Sequence, residues 1–384
     1  MHVADKLDLL TAGASYDLAC ACSGSNGRTR GPLGRWIYPA SLPDGRKIPL
    51  LKVLLSNACT RNCIYCAQRR GRNFARSSFR PQELASAFMD MHAKGLVGGL
   101  FLSSAIADGV EESMEAMIRT VELVRFRHGY KGWLHLKILP GSSHEQVERA
   151  SRLASRLSLN LEAPTAERLS AISPQKRFIE DIYERMGWIR RLIDSEAGRC
   201  RGQTTQFVVG AGEETDGEFI RLAGRLYGGL NLSRVYYSAF QPVAGTPLAR
   251  RPPATFEREH RLYQVDFLLR RYGFGVDEIV LDENDNLPCE TDPKSAWASR
   301  HPEFFPVEIN TAAKELLLRV PGIGPIAAGR IITRRENRKL KTLADLKRLR
   351  AVAARAAPFI LLDGKRRDGG RRTQLSLFDR AAGY

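Results

Sequence analysis

Strand-like and helix-like segments alternate along the chain after residue 49, and this alternation constrains the fold more than any other feature of the sequence. The runs that predict strands are Leu50–Leu55, Gly99–Ser103, Trp133–Ile138, Leu157–Leu161, Thr205–Val209, Val235–Ala239 and, as an optional seventh, Gly275–Val280. The segments with helical periodicity between them are Gln82–Lys94, Glu111–Arg127, Ser143–Leu153, Ile179–Ser195, Asp216–Tyr227 and Phe256–Tyr272. Strands that are each followed by a helix require a parallel sheet with right-handed crossovers.

Two arrangements satisfy this pattern. The sheet can curl into a full or partial (β/α) barrel, or it can stay open as a doubly wound α/β sheet. Both place ligands at the carboxyl ends of the strands, so the segments that follow the strands are the ones to search for chemistry. The alternation alone does not decide between the two arrangements.

The segment after the first predicted strand contains three cysteines. Cys59, Cys63 and Cys66 have the spacing C-x3-C-x2-C and directly follow the apolar run Leu50–Leu55. Thiolates at this spacing can hold three corners of a cubane iron–sulfur cluster and leave the fourth iron without a protein ligand. An open coordination position is what a metal site needs for chemistry.

Two other interpretations of the cysteines, a zinc site and disulfide bonds, have less support from the sequence. A zinc site needs a fourth ligand, and the nearest histidine downstream, His92, lies inside a predicted helix. Disulfide pairing among three cysteines leaves one thiol over, and seven cysteines in 384 residues do not suggest a disulfide framework. The roles of the other four, Cys20, Cys22, Cys200 and Cys289, stay open. Cys20 and Cys22 could ligate a metal, although no histidine lies near them, and Cys289 could donate hydrogen, with a plain buried thiol as the favoured alternative.

The spacing C-x3-C-x2-C with an aromatic residue, Tyr65, before the last cysteine resembles the signature of the radical SAM superfamily. The resemblance implies a partial (β/α)6 TIM-like barrel in which Cys59, Cys63 and Cys66 bind a 4Fe-4S cluster. It also implies that the open iron binds S-adenosylmethionine, whose reductive cleavage yields a 5′-deoxyadenosyl radical that abstracts hydrogen from a substrate. An electron donor such as a flavodoxin or ferredoxin follows from the same resemblance.

Contacts to S-adenosylmethionine are expected at the ends of the other strands. Many members of the superfamily have a Gly-Gly-Glu-like turn after the second strand, whereas this chain has Ser103 and Ser104 there. After the fourth strand, Glu162 is a candidate for the ribose hydroxyls, because a carboxylate suits that bidentate contact. Tyr65 is a further candidate for a contact with the cofactor. For Glu162, a helix-capping or surface role remains the alternative, and Lys137 is likewise open to a cofactor contact or a structural role.

A second motif lies near the C-terminus, in the segment Leu318–Ile332. Its Pro321-Gly322-Ile323-Gly324 turn between two predicted helices resembles a helix-hairpin-helix motif of DNA-repair proteins. Such a turn brings backbone amides and a helix N-terminus close to a phosphate. Between residues 314 and 350 the chain carries eleven Lys and Arg residues against three acids. A basic module of this kind predicts DNA binding, and a protein–protein module is the alternative.

The tail combines a basic linker, residues 365–372, with a short apolar peptide. Gln374, Leu375, Leu377 and Phe378 resemble the peptide by which bacterial polymerases and repair proteins bind the sliding clamp. A glutamine anchor with leucine and phenylalanine side chains is a plausible binding hot spot. The alternative is a terminal element that packs on its own protein.

Composition and charge suggest where the protein acts. The net charge of +17 and pI near 9.8 favour a polyanionic partner such as nucleic acid. No apolar run approaches a membrane span, and the N-terminus lacks a signal-peptide core, so a cytoplasmic protein is expected. The predicted division is a preamble at 1–48, a barrel at 49–285, a connector at 286–306, a helix-hairpin-helix module at 307–363 and a tail at 364–384.

Together these segments resemble a group of radical SAM proteins assigned to DNA modification or repair and linked to a uracil-DNA-glycosylase-like partner. The segments that carry the resemblance are Leu50–Cys66, His135–Gly141, Arg234–Ser238, Leu262–Glu278 and Ala296–Gly324. The resemblance implies a radical enzyme that acts on a nucleotide in DNA. Two alternatives stay open, a radical enzyme for RNA or a free nucleotide and a non-catalytic iron–sulfur DNA-binding scaffold or redox sensor.

Overall fold

The computed structural model describes residues 1–14, 37–41 and 47–366. The chain forms two compact units, the first of residues 1–263 with 284–286 and the second of residues 264–283 with 287 onwards. Cys20, Cys22 and the clamp-like peptide lie outside the described residues. The five-part division expected from the sequence stays a prediction.

The first unit is built on a sheet that has seven strands within the described residues. These are β1 (Ile37–Ser41), β2 (Lys47–Leu54), β3 (Gly99–Ser103), β4 (Trp133–Lys137), β5 (Arg156–Ser158), β6 (Gln203–Val209) and β7 (Arg234–Ala239). β1 runs antiparallel to β2, and β2 to β7 pair in parallel in the order of the chain.

The strand order confirms the partial barrel. A doubly wound sheet reverses its strand order at a switch point, whereas β2 to β7 follow one another without reversal. Right-handed crossovers then place every connecting helix on the same face, and the twisted sheet curls away from that face into a half-barrel. The alternation of a strand and a helix had left this choice open, since both arrangements share it.

Six helices of this unit match the six predicted segments, the first matches a short helix expected at Ala4–Ala12, and the fifth was not predicted. In chain order the helices are α1 (Val3–Gly13), α2 (Pro81–Ala93), α3 (Val110–Glu122), α4 (His144–Leu153), α5 (Ala166–Ile172), α6 (Glu184–Asp194), α7 (Asp216–Leu230) and α8 (Phe256–Arg271). π-helical turns continue α3 at Leu123–Arg127 and precede α6 at Phe178–Tyr183. The division between the two units falls within α8.

The two faces of the sheet differ in composition. The outer face is apolar and fully buried, with Leu51, Leu100, Leu136, Leu157 and Val235 among its side chains. The alternate positions point to the concave face, where polar and aromatic residues predominate and β4 and β7 are only partly buried. This alternation identifies the concave face as the one available to ligands.

Two strand predictions need correction. Gly275–Val280 contains no strand and instead forms turns, in which the Glu278 carboxylate accepts a hydrogen bond from the Gly275 amide at 2.7 Å. The fourth predicted strand, Leu157–Leu161, ends at Ser158. Beyond it the Leu161 amide donates to the Thr205 hydroxyl at 3.1 Å, so the regular ladder stops and only an isolated bridge at Glu162 follows.

The second unit is mainly helical around one apolar core. Its further helices are α9 (Pro293–Arg300), α10 (Lys314–Arg319), α11 (Pro325–Asn337), α12 (Leu343–Arg348) and α13 (Ala353–Ala356). A short parallel pairing of β8 (Val307–Glu308) with β9 (Ile360–Leu361) joins the two ends of this helical segment. The core contains Val320, Ile323 and Ile331, each at most 1% exposed.

Asn310 precedes a predicted helix and is a residue type that favours N-caps, but it does not cap one here. Helix α10 begins at Lys314, with Ala313 at its N-cap. The Asn310 side chain instead accepts from the Leu340 amide at 2.8 Å and donates to the Leu340 carbonyl at 3.0 Å. It therefore fastens the segment before α10 to the end of α11, a long-range role that local sequence could not reveal.

Within the described part of the chain, no helix is both long and apolar enough to cross a membrane.

Candidate active site

The three clustered cysteines line one solvent-accessible cavity at the carboxyl ends of the strands. Cys59, Cys63 and Cys66 are all free thiols on the loop that follows β2. The cavity has a volume of about 180 Å³ and opens to solvent. Side chains from β2, β3, β4 and β6 also line it, so it lies where a half-barrel concentrates its chemistry.

The segment after α5 holds one side of the cysteine loop. The Ile64 amide donates to the Ile172 carbonyl at 2.9 Å, and the Asn62 amide donates to the Gln175 side-chain oxygen at 2.9 Å. The Ser173 hydroxyl lies 3.0 Å from the Cys63 sulfur. These contacts join residues more than 100 positions apart, so the loop takes its shape only in the folded half-barrel.

Arg76 and Asn57 hold the other side of the loop. The Arg76 guanidinium donates to five backbone carbonyls, those of Asn57, Gln68, Arg69, Arg70 and Arg72, at 2.8–3.3 Å. The Asn57 side chain accepts from the Ser77 amide at 2.7 Å and donates to the Ala75 carbonyl at 3.1 Å. One cation thus organises the backbone on both sides of Cys59 and Cys66.

The surroundings of the sulfurs suit an anionic cluster. The Arg61 amide donates to the Cys59 sulfur and the Gln68 amide to the Cys66 sulfur, both at 3.4 Å. Burial and then the neighbouring Cys63 raise the pKa of the Cys66 thiol to about 12. Three adjacent thiolates therefore need a cationic metal to become stable, and bound iron would supply that charge.

The three thiols are compatible with a cluster. Each iron of a cubane takes one thiolate, and Cys59, Cys63 and Cys66 are free and line a common cavity. Among the described residues, no three His, Cys, Asp or Glu side chains are grouped as the ligands of one ion would be.

A buried ion pair forms another wall of the cavity. Lys176 lies 3.1 Å from Glu162, and both side chains are about a tenth exposed. Burial opposes a charged Lys176, but the Glu162 carboxylate holds the pKa of that amine above its usual value. Burial and the same carboxylate raise the pKa of Tyr65. The three groups form one coupled polar cluster beside the cysteines.

Glu162 has an unusual backbone. Its φ of 66° lies in the left-handed region, which a residue with a side chain adopts at some cost. Two hydrogen bonds hold it there, because its amide donates to the Gln206 carbonyl at 3.0 Å and its carbonyl accepts from the Val208 amide at 2.8 Å. Strain of this kind is concentrated at functional sites, and it aims the carboxylate into the cavity.

All four side chains predicted to contact the cofactor lie on this cavity. They are Tyr65, Ser103, Ser104 and Glu162, and Lys137 joins them. The Ser104 hydroxyl already donates to the Ala105 carbonyl at 2.7 Å. Their contacts with S-adenosylmethionine stay a prediction.

Sequence reasoning missed Lys176, Asn160 and Gln206, which also line the cavity. Gln206 interrupts an otherwise apolar end of β6, and that polar residue in a strand was a usable signal. Asn160 lies in the strand-end segment that drew attention to Glu162. Lys176 follows α5 in an irregular loop, where no spacing marks it.

The helix-hairpin-helix turn forms a close-packed backbone corner in the second unit. Gly322 has φ 84°, and a Cβ there would lie 2.5 Å from the Val352 carbonyl oxygen. Ile323 is buried. None of the described residues accepts a hydrogen bond from the amides of Gly324, Ile326 or Ala327, which precede or open α11. These amides are the ones that a phosphate could use.

The basic residues of this unit divide into two sets. Arg319 pairs with Glu278 at 2.6 Å, Arg335 donates to the carbonyls of Ile309 and Ala312, and Arg355 pairs with Asp292. These cations stabilise the unit itself. Lys339 and Arg348 are exposed and pair with Asp363 and Asp345. The other exposed cations between residues 314 and 350 are Lys314, Arg330, Arg334, Arg338, Lys341, Lys347 and Arg350. Arg330 and Arg334 continue, at four-residue intervals, the face of α11 that begins at Ile326.

Comparison with known families gives two matches. Residues 53–226 match the Radical SAM superfamily, whose members are enzymes that use a 4Fe-4S cluster and S-adenosylmethionine. Residues 304–357 match the helix-hairpin-helix motif. No curated protein matches the chain.

The solved structures that match this chain include three enzymes or maturases. Methylornithine synthase (PylB) is 15% identical with a TM-score of 0.47, and the match covers 57% of this chain and 61% of PylB. The hydrogenase maturase HydG from Carboxydothermus hydrogenoformans is 13% identical with a TM-score of 0.46, and the match covers 57% of this chain and 51% of HydG. A radical SAM methyltransferase from Sphaerobacter thermophilus is 18% identical with a TM-score of 0.44, and the match covers 63% of this chain and 79% of the methyltransferase. The chain thus spans 61% of the length of PylB and 51% of that of HydG.

Proposed function

We propose that this chain, which matches the Radical SAM superfamily and the helix-hairpin-helix motif, is a radical enzyme that repairs or modifies a nucleotide of DNA. The observation that carries the proposal is the presence, in one chain, of a three-cysteine cavity and a basic hairpin with unused backbone amides. The first feature supports radical chemistry and the second supports a polyanionic substrate.

The cavity residues fit the two cofactors. Cys59, Cys63 and Cys66 would hold three irons of the cluster, since their thiols are free and line the cavity. When bound, the cluster and S-adenosylmethionine supply a 5′-deoxyadenosyl radical that removes a hydrogen atom from the substrate. The protein's own contribution is to hold the cofactor, orient the substrate and exclude water and stray reductants.

Glu162 is the best candidate for the ribose hydroxyls of S-adenosylmethionine. One carboxylate oxygen pairs with Lys176 at 3.1 Å, while the other lies 3.5 Å from the Asn160 amide nitrogen, which is a long hydrogen bond. The second oxygen therefore keeps acceptor capacity toward the cavity. Tyr65, Ser103 and Ser104 are proposed to complete the cofactor contacts.

The hairpin would hold DNA through its phosphates. Pro321, Gly322, Ile323 and Gly324 shape the turn, and the amides after it lie at a helix N-terminus that attracts an anion. Contacts of this kind position a nucleic acid without reading its sequence. A base within a duplex would have to be extruded or already unpaired before a half-barrel could act on it.

The test is an anaerobic assay of the reconstituted chain with S-adenosylmethionine, dithionite and damaged, modified or unpaired DNA oligonucleotides. We expect 5′-deoxyadenosine to form faster with one class of DNA, together with a mass change in that oligonucleotide. Cys63→Ala is the matched control. This variant should not bind the full iron complement and should form no 5′-deoxyadenosine. Stimulation by RNA or free nucleotides alone would replace DNA as the substrate, and no 5′-deoxyadenosine under any condition would leave only a scaffold.

Further partners are proposed from the sequence. The peptide that contains Gln374, Leu375, Leu377 and Phe378 would bind the bacterial sliding clamp. The purified clamp should capture the wild-type chain but not a Gln374→Ala/Phe378→Ala double variant. Equal capture of the wild-type chain and the variant would reject this proposal. A uracil-DNA-glycosylase-like protein and a flavodoxin or ferredoxin are the other proposed partners. A DNA substrate would place the protein in the cytoplasm of a bacterial cell.

A further inference from the structure

One row of residues crosses the concave face of the half-barrel below the cysteine cavity. Strand pairing aligns Lys52 of β2 with Phe101 of β3, Phe101 with His135 of β4, and His135 with Arg156 of β5. Residues paired in this way point to the same face of a sheet. The row therefore brings two cations, an imidazole and an aromatic ring together on one face.

The cations of this face lie over aromatic rings. The Lys52 ammonium is 5.1 Å from the Phe101 ring centre, and the Phe101 ring stacks on His135 at 4.0 Å. Arg156 lies 5.1 Å from the Trp133 ring, and Arg234 of β7 lies 4.9 Å from the Tyr236 ring. Rings beside guanidinium groups are the combination that binds a planar base next to a phosphate.

Two buried polar atoms in this region have no hydrogen-bond partner among the described residues. They are the Nε of Arg156 and the hydroxyl of Ser158, a residue that is 5% exposed. Arg156 also forms no ion pair with a carboxylate of the described residues. A buried guanidinium nitrogen and a buried hydroxyl without hydrogen-bond partners lower the stability of the fold. An anionic ligand would supply the missing acceptor to both groups.

The row lies two residues before the cavity-lining positions of the same strands. Ser158 pairs with Lys137, which lines the cavity, and Arg156 lies two residues earlier on the same face. Two residues along a strand span about 6.6 Å. That separation is comparable to the distance from a sugar to its phosphate or base, so one nucleotide could reach from Arg156 to the level of Lys137.

The side chain of Arg156, whose buried Nε has no hydrogen-bond partner among the described residues, itself favours a phosphate. Arginine is the side chain best suited to bind phosphate through two parallel hydrogen bonds.

We propose that this face is the substrate subsite and that it binds a nucleotide, with the phosphate on Arg156 and Ser158 and the base against Trp133 and neighbouring rings. The inference rests on the proposed function, since it names the part of the DNA that enters the half-barrel. It assigns substrate contacts to residues that precede the strand ends.

The test is a binding titration of the full chain with each deoxynucleoside 5′-monophosphate and with the matching deoxynucleoside. We expect the monophosphate to bind at least tenfold more tightly, and Arg156→Gln to remove that preference while leaving the weak nucleoside binding. Arg156→Lys keeps the charge and should restore part of the preference. Quenching of tryptophan fluorescence should accompany binding and disappear in Trp133→Phe.

A second variant guards against misfolding of Arg156→Gln. Ser158→Ala removes one hydroxyl and should weaken monophosphate binding about threefold without changing the melting temperature by more than a few degrees. Equal affinities for nucleoside and monophosphate in the wild-type chain would overturn the inference. An unchanged phosphate preference in a folded Arg156→Gln or Ser158→Ala protein would overturn it as well.

A parallel measurement separates this inference from the proposed function. Duplex DNA binding by wild type and by Arg330→Gln/Arg334→Gln reports on the hairpin alone. Hairpin-dependent DNA binding without phosphate preference would reject the subsite but not the DNA enzyme. Phosphate preference without DNA binding would support the subsite and point to a free nucleotide as the substrate.

Discussion

Arg76 should control retention of the cluster although it ligates no iron. Its guanidinium donates to five carbonyls around the cysteine loop, four of them partly buried. Arg76→Met keeps the length of the side chain and removes every donor. At about 0.5–1 kcal/mol for each partly buried bond, opening of the loop should become about 3 kcal/mol more favourable. That corresponds to roughly a hundredfold change in the population of the open loop.

The assay is the rate at which a chelator removes iron from the reconstituted protein under anaerobic conditions. If the loop must open before iron is lost, Arg76→Met should lose iron about a hundredfold faster than wild type. Arg70→Met is the matched control, because Arg70 lies in the same loop and its side chain is exposed. Rates within twofold of one another for wild type and Arg76→Met would refute the reasoning, as would an equal effect of Arg70→Met.

Three further predictions concern the second unit. Burial lowers the pKa of Lys294 to about 7, partly offset by Asp292, while Arg355 and Arg319 lower it further. The unfolded amine titrates near 10.4, so between about pH 7 and 10 the unfolded chain binds more protons and stability should rise with pH. Denaturant unfolding at pH 7 and 9 should show a gain of about 2 kcal/mol in wild type relative to Lys294→Met, and parallel profiles would contradict this. Gly322→Ala should destabilise the unit by at least about 2 kcal/mol, because φ is 84° and the new Cβ meets the Val352 carbonyl oxygen at 2.5 Å. Gly329→Ala, in the interior of α11 with nothing within 4 Å, should instead stabilise it by up to about 1 kcal/mol, and thermal melts of the two variants decide between these signs. Arg330→Gln/Arg334→Gln should reduce the slope of log K against log salt for duplex DNA by about 1 for each phosphate that the variant no longer neutralises, and an unchanged slope would exclude these residues from the interface.

The local signals in the sequence were sufficient to locate the cluster loop and the hairpin. Cysteine spacing after an apolar strand placed Cys59, Cys63 and Cys66 at a strand end, and they do line the cavity there. The Pro-Gly-Ile-Gly turn was equally clear, because positive φ at Gly322 is a local requirement. Such features depend on neighbours in the chain, which is why sequence alone reveals them.

Local signals failed where long-range interactions dominate. The end of the fourth predicted strand depends on Thr205, more than 40 residues away, and Asn310 binds Leu340 instead of capping α10. In both cases the surrounding structure outweighs a weak intrinsic preference. Gly275–Val280 differs from these two, because it forms turns in which the Glu278 carboxylate accepts a hydrogen bond from the Gly275 amide only three residues away.

The sequence by itself determined the type of chemistry, since three cysteines at fixed spacing allow few ligands, and it determined that strands and helices alternate. Tertiary structure decided how the sheet is ordered, which turned an undecided α/β pattern into a half-barrel. It also decided which polar residues meet: Lys176 reaches Glu162 and Arg156 aligns with Lys52 only through strand register and loop packing. The physical reason is that a ligand set within one loop is encoded by spacing, whereas a binding surface spread over six strands exists only after those strands pair.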